Sequence, residues 1–162
     1  MTLRLTTAAA AAALAATLAA TLAAPGALAE DHRIEMLNAG PDGEPMVFEP
    51  AYLEVEPGDT VTFVNVQGAH NAQTIDGMVP QGAEGFRGGM RQDVSFTPQQ
   101  EGVYGIKCMP HYGAGMVALI KVGEGDAPNL EQASEVRHPG RARTRFEDLF
   151  EQAEAGSPGE SS

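Results

Sequence analysis

The sequence predicts a mainly β protein, a β-sandwich that is followed by two C-terminal α-helices. Between residues 31 and 122, short stretches rich in β-branched residues alternate with glycine and proline turns. Strands that recur at roughly ten-residue spacing are typical of a sandwich of two sheets. Beyond residue 125, the apolar residues recur at helical spacing instead. A chain of 162 residues is long enough for one domain of ordinary size.

The first 29 residues have the features of a cleavable signal peptide. Arg4 supplies a minimal positive start, residues 8–24 consist of Ala, Leu and Thr, and Ala27-Leu28-Ala29 has the small-x-small pattern of a cleavage site. The alternative is an uncleaved membrane anchor, which the alanine content and the short length disfavour. Since there is no twin arginine, Sec-type export is the simpler prediction. We expect residues 1–29 to be removed, which leaves no membrane attachment.

The chain is strongly acidic. Its formal charge is −12 at pH 7, and removal of Arg4 with the signal peptide makes it −13. A protein with this net charge repels phosphates, so we do not expect nucleic acid as a partner.

Seven segments are predicted to be strands, and turn residues separate them. Pro50, Pro57-Gly58-Asp59 and residues 98–102 carry the clearest turn signals. Residues 75–90 hold five glycines and show little periodicity, which predicts an irregular loop with one short helical turn at residues 83–86. The predicted strands are residues 32–37, 46–49, 52–55, 60–65 (a central strand), 93–97, 103–107 and 116–122.

Two helices are predicted after the last strand. Asn129 is a candidate N-cap of the first helix, and Gln132 three residues later would complete a capping box. The second helix is predicted to begin at Pro139, because proline is tolerated in a first turn, and to end at Gly156 and Pro158. Its apolar face consists of residues at helical spacing, namely Ala142, Phe146, Leu149, Phe150 and Ala153.

The predicted organisation is therefore one mature domain. Residues 30–124 form the sandwich, and residues 125–156 form a helical extension that covers one end or face of it. Residues 157–162 are rich in Gly, Ser and Glu and are predicted to be disordered.

The stretch Cys108-Met109-Pro110-His111-Tyr112-Gly113-Ala114-Gly115-Met116 gathers a thiol, an imidazole and a thioether within nine residues. Soft sulfur ligands and imidazole suit copper, and two His, one Cys and a weak axial Met make a blue-copper electron-transfer site. His70, which follows the predicted central strand, can supply the second imidazole. Because Cys108 is the only cysteine, a bound metal would explain an unpaired thiol in an exported protein.

Other interpretations of these residues are open from the sequence alone. Cys-x-x-His by itself is a weak motif that also fits a zinc half-site, and a lone buried cysteine can be inert. A Cys-His hydrolase would lack an obvious orienting Asp or Asn and would leave His70 and Met116 unexplained. Copper storage or delivery would favour several exposed methionines in a repeated motif, and the methionines of this chain do not form a repeat. A site filled by four protein ligands leaves no position for a substrate, which favours an electron carrier over an oxidase.

Beyond these ligands, the chain resembles the cupredoxin family of type 1 blue copper proteins from about Ile34 to the second helix. The loop 108–116 is similar to the family pattern Cys-x-Pro-His-Tyr-Gly-x-Gly-Met. Plastocyanins share this spacing but normally lack the C-terminal helices, so the resemblance is to a helix-bearing branch of the family. The other matching segments are Glu35-Met36-Leu37-Asn38, Met46-Val47-Phe48-Glu49-Pro50, Pro57-Gly58-Asp59-Thr60-Val61-Thr62-Phe63, Gly77-Met78, Gly82-Ala83-Glu84 and Gly102-Val103-Tyr104-Gly105.

The resemblance implies a Greek-key, cupredoxin-like β-sandwich with one type 1 copper ion near one end. It implies His70, Cys108, His111 and Met116 as the ligands. Asn71 matches the family residue that ties the two ligand loops together by hydrogen bonding. From the sequence alone, Asn71 could equally be an ordinary turn residue.

The resemblance also implies how the electron leaves. The edge of His111 is expected at the surface, within an apolar patch for which Pro110, Met109 and Met46 are candidates. The family usually surrounds this patch with lysines, of which the chain keeps Lys107 and has Arg87 where a lysine is expected. Ala39 and Gly68 replace two others.

The function implied is that of a periplasmic one-electron carrier and not of an enzyme. Its transient partners would be nitrite reductase or other denitrification enzymes, and a c-type cytochrome or similar donor. The protein itself is expected to be a monomer.

Overall fold

The computed structural model describes residues 28–156. The predicted disordered tail and nearly all of the predicted signal peptide lie outside the described residues. Among residues 28–156, no helix combines the length and the apolar character that crossing a membrane requires.

Two four-stranded sheets and two C-terminal helices make up the fold, which confirms the predicted mainly β sandwich. One sheet has the strand order β2-β1-β4-β6, and the other has the order β3-β8-β7-β5. The strands are β1 (Asp31–Ala39), β2 (Pro45–Glu49), β3 (Tyr52–Val55), β4 (Thr60–Asn65), β5 (Gln73–Thr74), β6 (Val94–Phe96), β7 (Gly102–Lys107) and β8 (Val117–Val122). The helices are α1 (Leu130–Ser134) and α2 (Arg141–Ala155).

Parallel strand pairs link parts of the chain that are distant in sequence. β1 pairs in parallel with β4, with Ile34 opposite Phe63, and β3 pairs in parallel with β8. Because parallel neighbours need a crossover connection, the chain passes from one sheet to the other between β2 and β3. The predicted central strand, β4, is indeed an interior strand of its sheet.

The inward faces of the two sheets form the main core. Ile34 and Met36 alternate with more exposed neighbours along β1 and are fully buried, as their period of two predicts. The same core includes an aromatic group, Phe48, Phe63, Phe86, Phe96 and Tyr104. Cys108 and Met116 also belong to this cluster. The sulfur residues of the predicted site are therefore part of the packed interior.

A second core joins the helices to the outer face of the sheet that contains β7 and β8. All six residues of β8 are buried, because α2 packs on one side of the strand and the sandwich core on the other. The predicted apolar face of α2 is confirmed, since Ala142, Phe146, Leu149 and Ala153 are buried and Phe150 packs against them.

The predicted helical turn at residues 83–86 is wrong. This segment contains no helical turn. Phe86 exchanges hydrogen bonds with Thr74: its carbonyl accepts from the Thr74 backbone N–H at 3.0 Å, and its own N–H donates to Thr74 Oγ1 at 3.0 Å. The Phe86 ring stacks on Phe96, with centroids 4.8 Å apart. Burial of that ring and pairing with the short strand β5, which the sequence did not predict, outweigh the local turn preference.

The predicted N-cap position of the first helix is confirmed, but the capping box and the predicted start of the second helix need correction. Asn129 is the N-cap position of α1, but its side chain bonds the backbone of Val103, accepting from N–H at 2.8 Å and donating to the carbonyl at 2.9 Å. Gln132 donates to the Gly77 carbonyl, so the predicted capping box does not form. Helix α2 begins at Arg141, after Gly140, and Pro139 lies before the cap. Its end at Gly156 is as predicted.

Asp59 stabilises the turn between β3 and β4, and replacing it with Asn is expected to lower the melting temperature. The carboxylate is 5% exposed and accepts from Glu30 N–H, Glu56 N–H and His32 Nε2 at 2.8, 2.9 and 3.0 Å. These bonds, the one from Glu30 first, hold the pKa of Asp59 below its ordinary value. A carboxyl group with a depressed folded-state pKa stabilises the fold above its unfolded-state pKa, and this stabilisation is lost as the pH falls through the folded-state value.

The difference in melting temperature between the wild type and Asp59→Asn should therefore be constant from neutral pH to about pH 5 and should shrink below about pH 4. Asp76→Asn, which changes an exposed aspartate, is the matched control. A difference that persists unchanged into acid would show that the charge of Asp59 is not what stabilises the turn.

Candidate metal centre

Three potential metal-binding atoms converge at one end of the sandwich. His70 lies five residues beyond the end of β4, Cys108 directly follows β7, and His111 lies in the loop that returns to β8. The Nδ1 atoms of the two imidazoles are 3.1 Å apart, and Cys108 Sγ lies 3.8 Å from the His70 nitrogen and 3.5 Å from the His111 nitrogen. The fold therefore joins residues that are 41 positions apart in sequence, as the sequence predicted.

Asn38 orients the His70 ring from the opposite side. Its Oδ1 lies 3.0 Å from His70 Nε2, and an oxygen acceptor there places the ring proton on Nε2. The Nδ1 lone pair of the neutral ring then points toward Cys108 and His111, as a metal ligand requires. Gly68 makes this contact possible, because a Cβ there would lie 2.2 Å from Asn38 Oδ1.

The loop 108–116 is held by its own backbone. Cys108 N–H donates to the Met116 carbonyl at 3.0 Å, and Met116 N–H donates to the His111 carbonyl at 3.1 Å. Gly115 N–H closes a further turn onto the Tyr112 carbonyl at 2.9 Å. Met116 is fully buried next to β8 and shares the core cluster of Cys108. These bonds place all three loop residues of the predicted ligand set on a single closed turn.

Asn71 connects the two segments that carry the predicted ligands. Its Oδ1 accepts from Met109 N–H at 2.8 Å, next to Cys108, and its Nδ2 donates to Gln73 Oε1 and to the Gly88 carbonyl. The side chain is almost fully buried. Asn71 therefore makes the link between the ligand loops that the family resemblance implies. It is not merely a turn residue.

Burial disfavours the charged forms of Cys108 and His70. It raises the pKa of the Cys108 thiol and lowers the pKa of His70, and the nearby His111 lowers the latter further. A thiol in this environment is a poor nucleophile, which disfavours the hydrolase interpretation. A soft cation would supply the missing positive charge and ionise the thiol. Two imidazoles and one thiol in a closed, buried site are the donor set that copper prefers.

The surface next to the site is apolar and carries few charges. His111 is half-buried, whereas His70 is fully buried, so only His111 reaches the surface. Pro110 and Met109 are exposed beside it, the latter by 47%, and Met46 is partly buried. The two predicted basic neighbours differ from each other, since Lys107 Nζ lies over the Tyr112 ring, 4.9 Å from its centroid, whereas Arg87 is exposed.

Two residues beside the site were not predicted from the sequence. Asn38 carried no signal except its place in a matching family segment, because it lies in β1, far in sequence from His70. Arg91 is exposed, has a positive φ of 59° and donates its backbone N–H to the His70 carbonyl at 2.8 Å. It is an exposed cation, bonded through its backbone to a predicted ligand, that was not predicted.

Asn71→Ala is expected to loosen the site and to lower the stability of the metal-free protein. The change leaves Met109 N–H without its acceptor, and an unsatisfied backbone donor costs about 1–3 kcal/mol. Chemical denaturation of the metal-free variant measures this loss. Gln73→Ala removes only a partner of the Asn71 amide and is the control, for which we expect a smaller loss. Equal losses in both variants would show that the bond to Met109 is not the important one.

A sandwich that encloses two imidazoles and a thiol defines the class of small copper-binding proteins. The sequence profile of copper-binding proteins of the plastocyanin/azurin family matches residues 34–123, which include the three converging donors. The chain belongs to this family and, within it, to the pseudoazurins, the helix-bearing branch that the sequence predicted. It is accordingly a blue copper protein that transfers electrons and is not an enzyme.

The individual relatives agree in sequence and in structure. The chain is 45% identical over 125 residues to the pseudoazurin of Paracoccus pantotrophus, which covers 76% of this chain and 83% of that protein. The pseudoazurin structure from Sinorhizobium meliloti superimposes with a TM-score of 0.75 at 41% identity and covers 79% of this chain and 99% of the other. The pseudoazurin structure from Methylobacterium extorquens AM1 superimposes with a TM-score of 0.71 at 43% identity and covers 75% of this chain and 98% of the other.

Proposed function

We propose that this protein is a periplasmic carrier that passes single electrons to nitrite reductase or another denitrification enzyme, through a copper ion held by His70, Cys108, His111 and Met116. The observation that carries the proposal is the convergence of two imidazole Nδ1 atoms and one thiol, 3.1–3.8 Å apart, in a site of which only His111 reaches the surface.

Each ligand has a distinct task in this proposal. His70 and His111 bind through Nδ1 and Cys108 binds through Sγ, whereas Met116 is the weak fourth ligand. Bound copper supplies a one-electron couple between Cu(I) and Cu(II). The bond from His70 to Asn38 and the backbone bonds of the loop hold the donors in place and keep water out, so little rearrangement accompanies the change of charge.

His111 is the proposed route by which the electron enters and leaves. It is the half-exposed ligand, and the exposed side chains of Met109 and Pro110 surround it with apolar surface. A small apolar contact suits a redox complex that must dissociate quickly. We propose that a c-type cytochrome or a similar donor and the acceptor enzyme use this surface in turn, and that the carrier acts as a monomer.

The periplasmic location rests on the predicted signal peptide, residues 1–29, and on the lone cysteine. A thiol bound to a metal is protected from oxidation in an oxidising compartment. Mass spectrometry of the protein recovered from the periplasm tests this part of the proposal. A mature chain that begins at Glu30 is the expected result, and a full-length chain in the membrane fraction would contradict it.

An absorption spectrum and a coupled turnover assay test the site and the carrier role. The purified mature protein loaded with Cu(II) should show an intense thiolate-to-copper band that bleaches on reduction. When a chemical reductant that does not itself reduce the enzyme keeps the carrier reduced, the carrier should support steady turnover of purified copper nitrite reductase as its sole direct electron donor. The zinc-loaded protein is the redox-inactive control. A protein that binds Zn(II) tightly but cannot hold Cu(II) would contradict the carrier role.

Electrostatic steering toward the acceptor is expected to be weak. The net charge of the mature chain is −13. Lys107 lies over the Tyr112 ring, and Arg87 and Arg91 are exposed. Association rates should therefore fall only slightly as salt is added, whereas a relative with a full lysine ring shows the steeper dependence. Stopped-flow rates at several ionic strengths measure this. A steep fall with added salt would contradict the expectation.

A further inference from the structure

The first turn of α2 lies directly against the proposed copper loop. Arg141 N–H donates to the Gly113 carbonyl at 3.0 Å, and a Cβ at Gly140 would lie only 2.3 Å from that oxygen. Gly115 is buried against the same helix: a Cβ there would lie 3.1 Å from Arg145 Cδ and 3.2 Å from Arg141 Cβ. The loop that carries His111 and Met116 therefore rests on the N-terminal end of α2.

Arg145 bonds three groups from this position. Its Nη1 donates to the Gly115 carbonyl at 2.8 Å and, at 3.3 Å, to the carbonyl of Met46. Its Nη2 donates to Glu44 Oε2 at 2.8 Å. The side chain is 20% exposed. A planar guanidinium presents its donors in a rigid fork, so these bonds fix the relative positions of the loop, the β1–β2 connection and the helix.

Arg145 bonds the carbonyls of two residues that have positive φ angles. Gly115 has a φ of +96°, and Met46 has a φ of +52° although it is not glycine. A non-glycine residue persists in this region only where its surroundings determine it. The Gly115 carbonyl belongs to the peptide group that immediately precedes Met116, so its position determines the direction in which the Met116 side chain leaves the backbone.

We propose that Arg145 is a positioning residue for Met116 and that, through the helix, it sets the contact of the weak fourth ligand with the metal. This inference rests on the proposed function, because it takes Met116 as that ligand. Arg145 does not touch the three converging donors. It acts by holding the peptide group before Met116, and its bond to Met46 extends the same constraint to the surface beside His111.

A simple charge effect is separable from positioning, because the chain carries a matched arginine one helical turn earlier. Arg141 pairs through its guanidinium with the same carboxylate, Glu44, but it meets the loop through its backbone N–H. Replacing either arginine with Met removes one positive charge beside Glu44 and keeps the alkyl stem. Only the replacement of Arg145 removes side-chain bonds to Gly115 and Met46.

The test compares Arg145→Met, Arg145→Lys and Arg141→Met, each loaded with Cu(II). The readouts are the intensity ratio of the two sulfur-to-copper bands, the rhombicity of the electron paramagnetic resonance signal and the rate of copper loss to a chelator. We expect Arg145→Met to change the ratio and the rhombicity and to lose copper about tenfold faster, as changes beside a metal ligand typically do. Arg141→Met should match the wild type, and Arg145→Lys should recover part of the wild-type spectrum.

Two results would overturn the inference and a third concerns the function itself. If Arg145→Met and Arg141→Met have the same spectra and release rates, the side-chain bonds of Arg145 to Gly115 and Met46 do not position Met116. If Arg145→Met folds poorly, Arg145→Lys with a wild-type spectrum and release rate would also contradict positioning by the fork. If the wild type shows no thiolate-to-copper band, the proposed function fails before these variants are compared.

Discussion

Replacing Cys108 with alanine is expected to abolish the intense visible absorption of the copper-loaded protein. That band arises from charge transfer between a thiolate and copper, and Cys108 is the only thiol in the chain. The two histidines that remain, His70 and His111, can hold Cu(II) only as ordinary nitrogen ligands, which give weak colour. Absorption spectra and copper content of the purified variant measure the loss.

Met109→Ala is the matched control for this experiment. It removes an exposed sulfur residue next to Cys108, and the backbone N–H that Asn71 accepts from stays in place. The control should keep its colour, and a Cys108→Ala protein that stays intensely coloured would rule out the thiolate assignment. Loss of colour in both variants would show that the loop is too easily disturbed for colour to identify the ligand.

Met116→Gln is expected to keep copper and to lower the reduction potential. An amide oxygen is a harder ligand than a thioether, so it stabilises Cu(II) relative to Cu(I). A tenfold shift in that preference corresponds to about 59 mV for a one-electron couple, and we expect a shift of at least this size. Redox titration followed by the thiolate-to-copper band gives the potential of the wild type and the variant.

Met90→Gln makes the same chemical change at a methionine that is 48% exposed and outside the ligand loop. Its potential should equal that of the wild type. An unchanged potential in Met116→Gln would show that Met116 is not the weak fourth ligand. The proposal that Arg145 positions this ligand would then be wrong as well.

The strands and the second helix were predictable because their signals are local. One buried strand face is predicted by the alternation of Ile34 and Met36, and another by the β-branched run of β4. The buried face of α2 is predicted by the helical spacing of Phe146, Leu149 and Ala153. Such periods depend only on backbone geometry within a few residues. The pairing of β1 with β4 and the division of the strands between two sheets depend on the whole chain. The strand patterns did not predict them, and the family resemblance implied only a Greek-key sandwich.

The predictions that failed involve polar side chains or a ring with distant partners. Asn129 and Gln132 have the capping-box spacing, yet they bond Val103 and Gly77, which lie 26 and 55 residues away. Phe86 leaves the predicted turn because its ring has a place between Phe63 and Phe96. A local pattern states what a side chain can do, and packing decides which of its possible partners is present.

The ligand chemistry could be predicted from the residues alone: one thiol, an imidazole and a thioether lie within nine residues, and a second imidazole follows a central strand. How those groups are held depends on the packed fold. Asn38 on the far side of His70 and Arg145 behind Gly115 are 32 and 30 residues from their partners. Ligand types and their spacing can be recognised within a short stretch of sequence. The groups that orient the ligands cannot, because they lie on elements that only folding brings next to the site.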